Sequence, residues 1–270
     1  MTINTRDQLI DALANNSTSI FVDKATVAST AVGQFFGLFT GTGNPGVGST
    51  PGAASVPTSA TTGALPFPAQ TAPAKTYIAM TSMMQGNSGA GVEIHDRIAH
   101  MGGLSGTSTA VQTGLSLVTT NPGADRIGNA GYNDVQWWLE IHSNLGATPV
   151  DATVIVTYDD NTTATLPVIA LAATPRKGRM YRISSADGRG IKAVNSVKLS
   201  ATTGTAGNFG ITATRQLTTI GTYIANKPEI ADWAQLGLPL VPANACLQFI
   251  VPCSTTSTGA LRGVVKLAHG

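Results

Sequence analysis

Charge is what this sequence has least of. Asp, Glu, Lys and Arg make up 11% of its 270 residues, against roughly 25% in ordinary soluble domains. From Ala25 to Ala74 there are fifty consecutive residues with no acid and no base. A disordered linker stays solvated through charge, and a membrane span needs ~20 consecutive apolar residues. This tract, which includes QFFGLFTGTGNPGVGSTPGAASVPTSATTGALPFPAQTAPA, has neither property. Charges of one sign do not gather elsewhere: 16 basic and 14 acidic residues leave a formal net charge of +2. A protein that tracks phosphates concentrates Lys and Arg on one face, so neither nucleic acid nor membrane is expected as a partner.

Cysteine is nearly absent as well. Cys246 and Cys253 stand seven apart in CLQFIVPC, and an odd separation along a strand places them on opposite faces, so two buried thiols are expected rather than a disulfide. The N-terminal MTINTRDQLIDALANN has acids and amides where a signal peptide needs an apolar core, which implies synthesis and use without secretion.

Catalytic constellations are also missing. GTGNPG (41–46) matches G-x-G-x-x-G in form, but Pro45 and a Pro-rich coil follow where a helix should, which excludes the dinucleotide loop. His95 and His100 in EIHDRIAH are five apart, whereas metal pairs want i,i+4 on a helix or i,i+2 on a strand. Asp96 is expected to pair with Arg97 or to cap a turn. His142 and His269 have no evident sequence partner, and GGLSG (102–106) is not a nucleophile elbow. Asp159-Asp160-Asn161 offers oxygen ligands for Ca²⁺, but a hairpin tip is the commoner use. Neither enzymatic activity nor a cofactor is expected.

What is present is Gly (30), Thr (37) and repeated β signals. Thr5 and Gln8 have capping-box spacing ahead of Leu9, Ile10 and Leu13, so a short helix is expected over 5–16. SIFVDKATV follows as a strand. Pro45, Pro51, Pro57, Pro66, Pro68 and Pro73 keep the uncharged tract extended. Trp137, Leu139 and Ile141 alternate on one face. DATVIVTYDDNTTATLP (151–167) is the clearest hairpin, with Val154, Val156 and Tyr158 sharing a face. Strands are expected at YRISS, AVNSVKLSA, NFGITATRQLTTI, CLQFIVPC and ALRGVVKLA, and a short helix at EIADWAQL between Pro228 and Gly237. The fold class is therefore all-β: an antiparallel β-sandwich or jelly-roll-like domain with an extended N-terminal arm and short helices near both termini. The expected divisions are 1–75, 76–225 and 226–270.

DRIAHMGGLSGT (96–107), WLEIHSNLGATPVDATVIVTY (138–158) and SVKLSATTGTAGNFGITATR (196–215) resemble a family of tailed-bacteriophage virion structural proteins, over about residues 93–220. The resemblance implies a non-enzymatic virion component and supplies no functional residue. Low charge suits a surface covered by neighbours. The expected role is a capsid decoration or cement protein in the virion, with other virion proteins as partners, the major capsid protein first, and a homo-oligomer, trimer favoured. A neck, tail or baseplate position is the alternative, as is a receptor-binding or glycan-binding module, which needs exposed aromatics such as Trp138. The candidate interface residues are Phe35, Phe36, Leu38 and Phe39 as anchors of the arm, with Arg176, Lys177 and Arg179, next to Arg182, as ionic contacts to an acidic neighbour.

Overall fold

A computed structural model describes residues 2–27, 29–87, 90–129 and 131–270. Strands take 44% of the chain and helices 8%, with several antiparallel sheets, so the architecture is the expected all-β, sandwich-like one. The chain opens with α1 (Arg6–Asn15), β1 (Ser17–Lys24), β2 (Gln34–Gly37), β3 (Gly43–Asn44), β4 (Thr76–Gln85) and β5 (Ala90–His100). Next come β6 (Gln112–Thr113), α2 (Leu117–Thr120), α3 (Ala124–Ile127), β7 (Val135–Ser143), β8 (Val150–Tyr158), β9 (Thr163–Thr165) and β10 (Ile169–Leu171). The remainder is β11 (Arg179–Ile183), β12 (Ile191–Leu199), β13 (Asn208–Thr222), β14 (Glu229–Asp232), α4 (Trp233–Leu236), β15 (Leu240–Val241), β16 (Leu247–Cys253) and β17 (Leu261–His269). Among the described residues no helix is long and apolar enough to cross a membrane.

The divisions expected at 75 and 225 are not those of the structure. Two compact units form, one from residues 1–48, 58–96 and 216–270, the other from 49–57 and 97–215. The reason is antiparallel pairing between distant segments, which ignores chain order. In the first unit β17 lies between β1 and β4 in the order β14-β4-β17-β1-β3, with β15 also on β4. The C-terminal strand is thus the centre of a sheet rather than an appendage. α1 forms as its sequence dictates: Gln8 N–H donates to the Thr5 hydroxyl and the Gln8 side chain accepts from Thr5 N–H. Its buried Leu9 and Ala12 pack on Ala79 and Ala268. The expected helix after Pro228 is a strand for its first half: Glu229–Asp232 pairs with β4, Glu229 opposite Met83. Only Trp233–Leu236 is helical, capped by Asp232 and closed by Gly237 in left-handed conformation. Pairing with the edge of β4 overrides local helix preference.

In the second unit β8 and β12 pair along their length, flanked by β10 and β6, and β9 closes the expected hairpin on β8. β7 pairs with β11 on one side and β13 on the other. Trp137, Leu139, Ile141, Val154, Val156 and Tyr158 enter one apolar core.

The uncharged tract is irregular and extended over most of its length, as its prolines require, but it is not an arm. Phe36 and Leu38 are core residues of the first unit, and the Phe39 ring is buried with Ala64 and Cys246. Phe35, next to them on β2, is half-buried. β2 pairs with β16, Phe36 opposite Val251. These rings therefore serve the chain's own fold, because β2 supplies a strand that β16 needs. Gly48 donates its N–H to Phe39 O at 2.9 Å, and a Cβ at Gly48 would lie 2.5 Å from the Phe39 ring. In the second unit, Ser55 bridges His100 and Gly52 O accepts from Gly102 N–H.

The backbone of GTGNPG turns carbonyls inward, the reverse of a phosphate loop. Lys24, 1% exposed, donates from Nζ to Gly41 O (3.1 Å), Pro45 O (2.6 Å) and Gly46 O (3.2 Å). Burial pushes its pKa down to about 8, which still leaves an ammonium at neutral pH. Lys24→Met keeps the stem and deletes the donor for three carbonyls, so it is expected to lose about 2–3 kcal/mol in chemical denaturation. An unchanged unfolding midpoint would show that the cage does not hold this loop.

Candidate functional site

The three catalytic-type residues of EIHDRIAH do not converge. His95 shares a hydrogen bond with Glu93 Oε2 at 2.9 Å, and Asp96 Oδ1 accepts from Cys246 N–H at 2.9 Å. Arg97 pairs with Glu140 at 2.7 Å, both fully enclosed. The sequence expectation for Asp96 named Arg97 or a turn as its partner; Arg97 also has a carboxylate from a distant strand, Glu140, which the sequence did not indicate.

β7 explains how this cluster arises. Its odd positions, Trp137, Leu139 and Ile141, face the apolar core, and its even positions, Trp138, Glu140 and His142, are also buried. Arg97 Nε donates to His100 Nδ1 at 2.8 Å, and another of its nitrogens donates to the Thr212 hydroxyl at 3.1 Å. Thr212 in turn donates to Glu140 Oε2. His142 Nε2 lies 3.4 Å from Met101 O, Trp138 Nε1 donates to the Thr214 hydroxyl at 2.9 Å, and Glu140 Oε1 and His142 Nδ1 have no hydrogen-bond partner among the described residues. Burial alone would raise the Glu140 pKa, but the Arg97 charge, His142 and two hydrogen bonds bring it down to about 2. Burial and then Arg97 push His100 down to about 3, and burial pushes His142 down too. The result is a neutral histidine pair beside a charged pair. Every member is below 8% exposed, so the cluster orders the interior of the unit and offers no approach to a substrate. Sequence reasoning missed Glu140 because its partner comes from a distant strand. Its position in the alternation WWLEIH was the one available signal.

The other sequence candidates separate. Arg176 and Lys177 are exposed, whereas Arg179 is half-buried with its guanidinium 4.6 Å from the Tyr181 ring. Arg182 lies over the Trp138 ring at 5.5 Å. Trp137 and Trp138 are both buried, which removes them as a sugar-stacking platform. At the hairpin tip Asp160 Oδ1 accepts from Thr162 N–H and hydroxyl, and Oδ2 pairs with Arg189 at 3.2 Å. Among the described residues no group of three His, Cys, Asp or Glu is placed to hold a metal. Cys246 and Cys253 are buried free thiols, as the strand spacing indicated.

What the surface does present is an open sheet face. Phe21, Val264, Ser82 and Ile230 stand opposite one another across β1, β17, β4 and β14. They share one face because directly opposed residues of antiparallel strands do. Phe21 is 57% and Ile230 64% exposed. α1 covers the same face only at its Ala268 end. The next row carries Asp23 and Arg262, paired at 3.0 Å.

The buried cluster sets the acid response. His100 and His142 bind protons more weakly folded than unfolded, so stability is complete above about 6.5 and falls as pH drops below it. Glu140, held down to about 2, adds a loss below about 4.5. Each group contributes a slope of up to about 1.4 kcal/mol per pH unit. Denaturation at pH 7 and pH 5 should show this decline, and His100→Asn should reduce it. A flat profile between those values would mean that the histidines are not held neutral.

No family model and no curated protein matches the chain. Among solved structures, those of infectious bursal disease virus Gt strain and of the infectious bursal disease virus VP2 subviral particle are similar over 94% of this chain and 80% of theirs, at 9% identity and a TM-score of 0.17. That score is far below that of a shared fold, so the functional reading rests on the chain's own residues.

Proposed function

We propose that this chain is a non-enzymatic structural protein of a bacteriophage virion, a capsid decoration or cement protein that binds the major capsid protein and further copies of itself. The observation that carries this reading is the open apolar row on the first unit's sheet. A chain with so few charges exposes Phe21 and Ile230 at the two ends of one sheet row, with half-exposed Val264 and Ser82 between them, and burying each large side chain against a neighbour is worth ~1.5–3 kcal/mol. The Asp23–Arg262 pair at the margin keeps the rim polar, as interfaces do. The enclosed cluster around Glu140 suits a protein whose work is contact rather than chemistry, and the resemblance over 93–220 supplies the phage context. Attachment runs through a sheet face, since the tract expected to act as an arm belongs to the fold. Repetition over a symmetric shell turns a weak individual contact into firm retention.

Mass spectrometry and particle averaging of purified virions test the reading. The expected result is density for this chain on the head surface, in a homo-oligomer, with the Phe21–Ile230 face covered. Phe21→Asp with Ile230→Lys should reduce cosedimentation with heads at least tenfold, while the free subunit keeps its melting temperature. Density in the neck, tail or baseplate, or full retention of the double variant, would overturn it.

A further inference from the structure

The second unit carries a recess that the decoration role does not use. About 190 Å³ in volume, it is lined by Tyr132, Asn133, Gln136, Arg182, Ser184 and Gly190 among others. A second, more apolar groove of about 340 Å³ adjoins it under Pro167, Val168 and Ile169 and shares Arg182, Ser184 and Ser185. Arg182 therefore stands where a polar pocket meets an apolar one.

Two independent features mark the recess as built. Tyr132 holds a left-handed backbone with φ 58°, a conformation that bulky residues adopt only against strain and that clusters at functional sites. The loop is pressed onto its opposite wall: a Cβ at Gly190 would lie 1.5 Å from Gly131 O. Val135 N–H donates to Tyr132 O at 3.1 Å and Asn129 N–H to Asp134 Oδ2 at 2.9 Å, so the wall is set without a ligand. The other feature is the state of the two guanidinium groups. Arg189 is bound to Asp187 at 2.7 Å and Asp160 at 3.2 Å. Arg182 is exposed, lies over Trp138, and pairs with no carboxylate among the described residues. A stacked guanidinium keeps its in-plane N–H groups free, and those match a carboxylate in two-point fashion.

We propose that this recess binds an acidic sugar residue, a hexuronic acid within a glycan, whose carboxylate meets Arg182. The Ser184 hydroxyl and the Asn133 carboxamide, both exposed and without other hydrogen-bond partners among the described residues, take ring hydroxyls. Half-buried Tyr132 forms the wall for the ring. The next sugar of the chain lays its C–H face on Pro167 and Val168, which is 59% exposed. A neutral sugar leaves Arg182 unanswered, and a bare carboxylate leaves Ser184 and Asn133 unanswered. Trp138, excluded as a platform by its burial, acts beneath Arg182 as the surface that orients it.

Titration of the full chain with methyl β-glucuronide, methyl β-glucoside and acetate, followed by calorimetry or amide chemical shifts, tests the site. The glucuronide should bind with a Kd on the order of 1 mM. Glucoside and acetate should each bind at least about tenfold more weakly, which is the worth of one charge-assisted pair or of the lost hydroxyl contacts. Arg182→Gln should weaken glucuronide binding by about tenfold or more and Ser184→Ala by a few-fold, both with unchanged melting temperature because both side chains are exposed. No binding of glucuronide at tens of millimolar, on the order of ten times the expected Kd, overturns the proposal. So does binding that survives Arg182→Gln, or acetate that binds as well as the glucuronide. None of these results bears on where the chain sits in the particle, so failure here is distinct from failure of the decoration reading.

Discussion

A backbone without charged side chains around it still has to satisfy its carbonyls, and in this protein buried cations from outside the tract do so. The fifty uncharged residues carry six prolines, so regular ladders cannot absorb all their polar groups. Lys24, immediately before the tract, holds three carbonyls of the 41–46 loop. Arg126, on α3, donates to Pro57 O at 2.9 Å and to Arg97 O at 2.8 Å. Each cation is almost wholly enclosed, and a buried charge persists only where several acceptors replace its water. The lack of charge in the tract and the burial of charge beside it are one arrangement.

The same economy governs the second unit. Arg97, Glu140 and the two histidines, joined through Thr212, place ionisable groups where solvent does not reach. Removing either ion would leave the other uncompensated, which typically costs 3–5 kcal/mol. The pair therefore constrains which strands can face each other more than it adds to net stability. The outside keeps most of the charges, but these are few and stand among hydroxyls, amides and apolar side chains. A sheet face carrying Phe21 and Ile230 follows from that distribution, and contact with a neighbour is the use that suits it.

Arg182 illustrates how position decides the role of a residue. It belongs to one sequence cluster with Arg176, Lys177 and Arg179, yet the four do not act together. Two lie in an exposed connection, one stacks on Tyr181, and one stacks over Trp138 at the mouth of a recess. β11 sends alternate side chains to opposite faces, which parts Arg179 from Arg182, while Arg176 and Lys177 precede the strand.

Local signals in the sequence determined the elements whose causes are local. The Thr5–Gln8 cap, the hairpin at Asp159–Asn161, the alternation through Trp137–Ile141 and the spacing of Cys246 and Cys253 all involve residues a few positions apart, and each stands in the structure where its chemistry put it. The extended backbone of the uncharged tract was equally legible from its prolines. Only the tertiary structure decided what that tract packs against, that β17 becomes the centre of a sheet, that Glu229–Asp232 is a strand, and that Arg97 belongs to Glu140. Antiparallel pairing joins segments by complementary edges and buried faces, at any separation along the chain, and a single sequence carries no mark of which distant edge will be the partner.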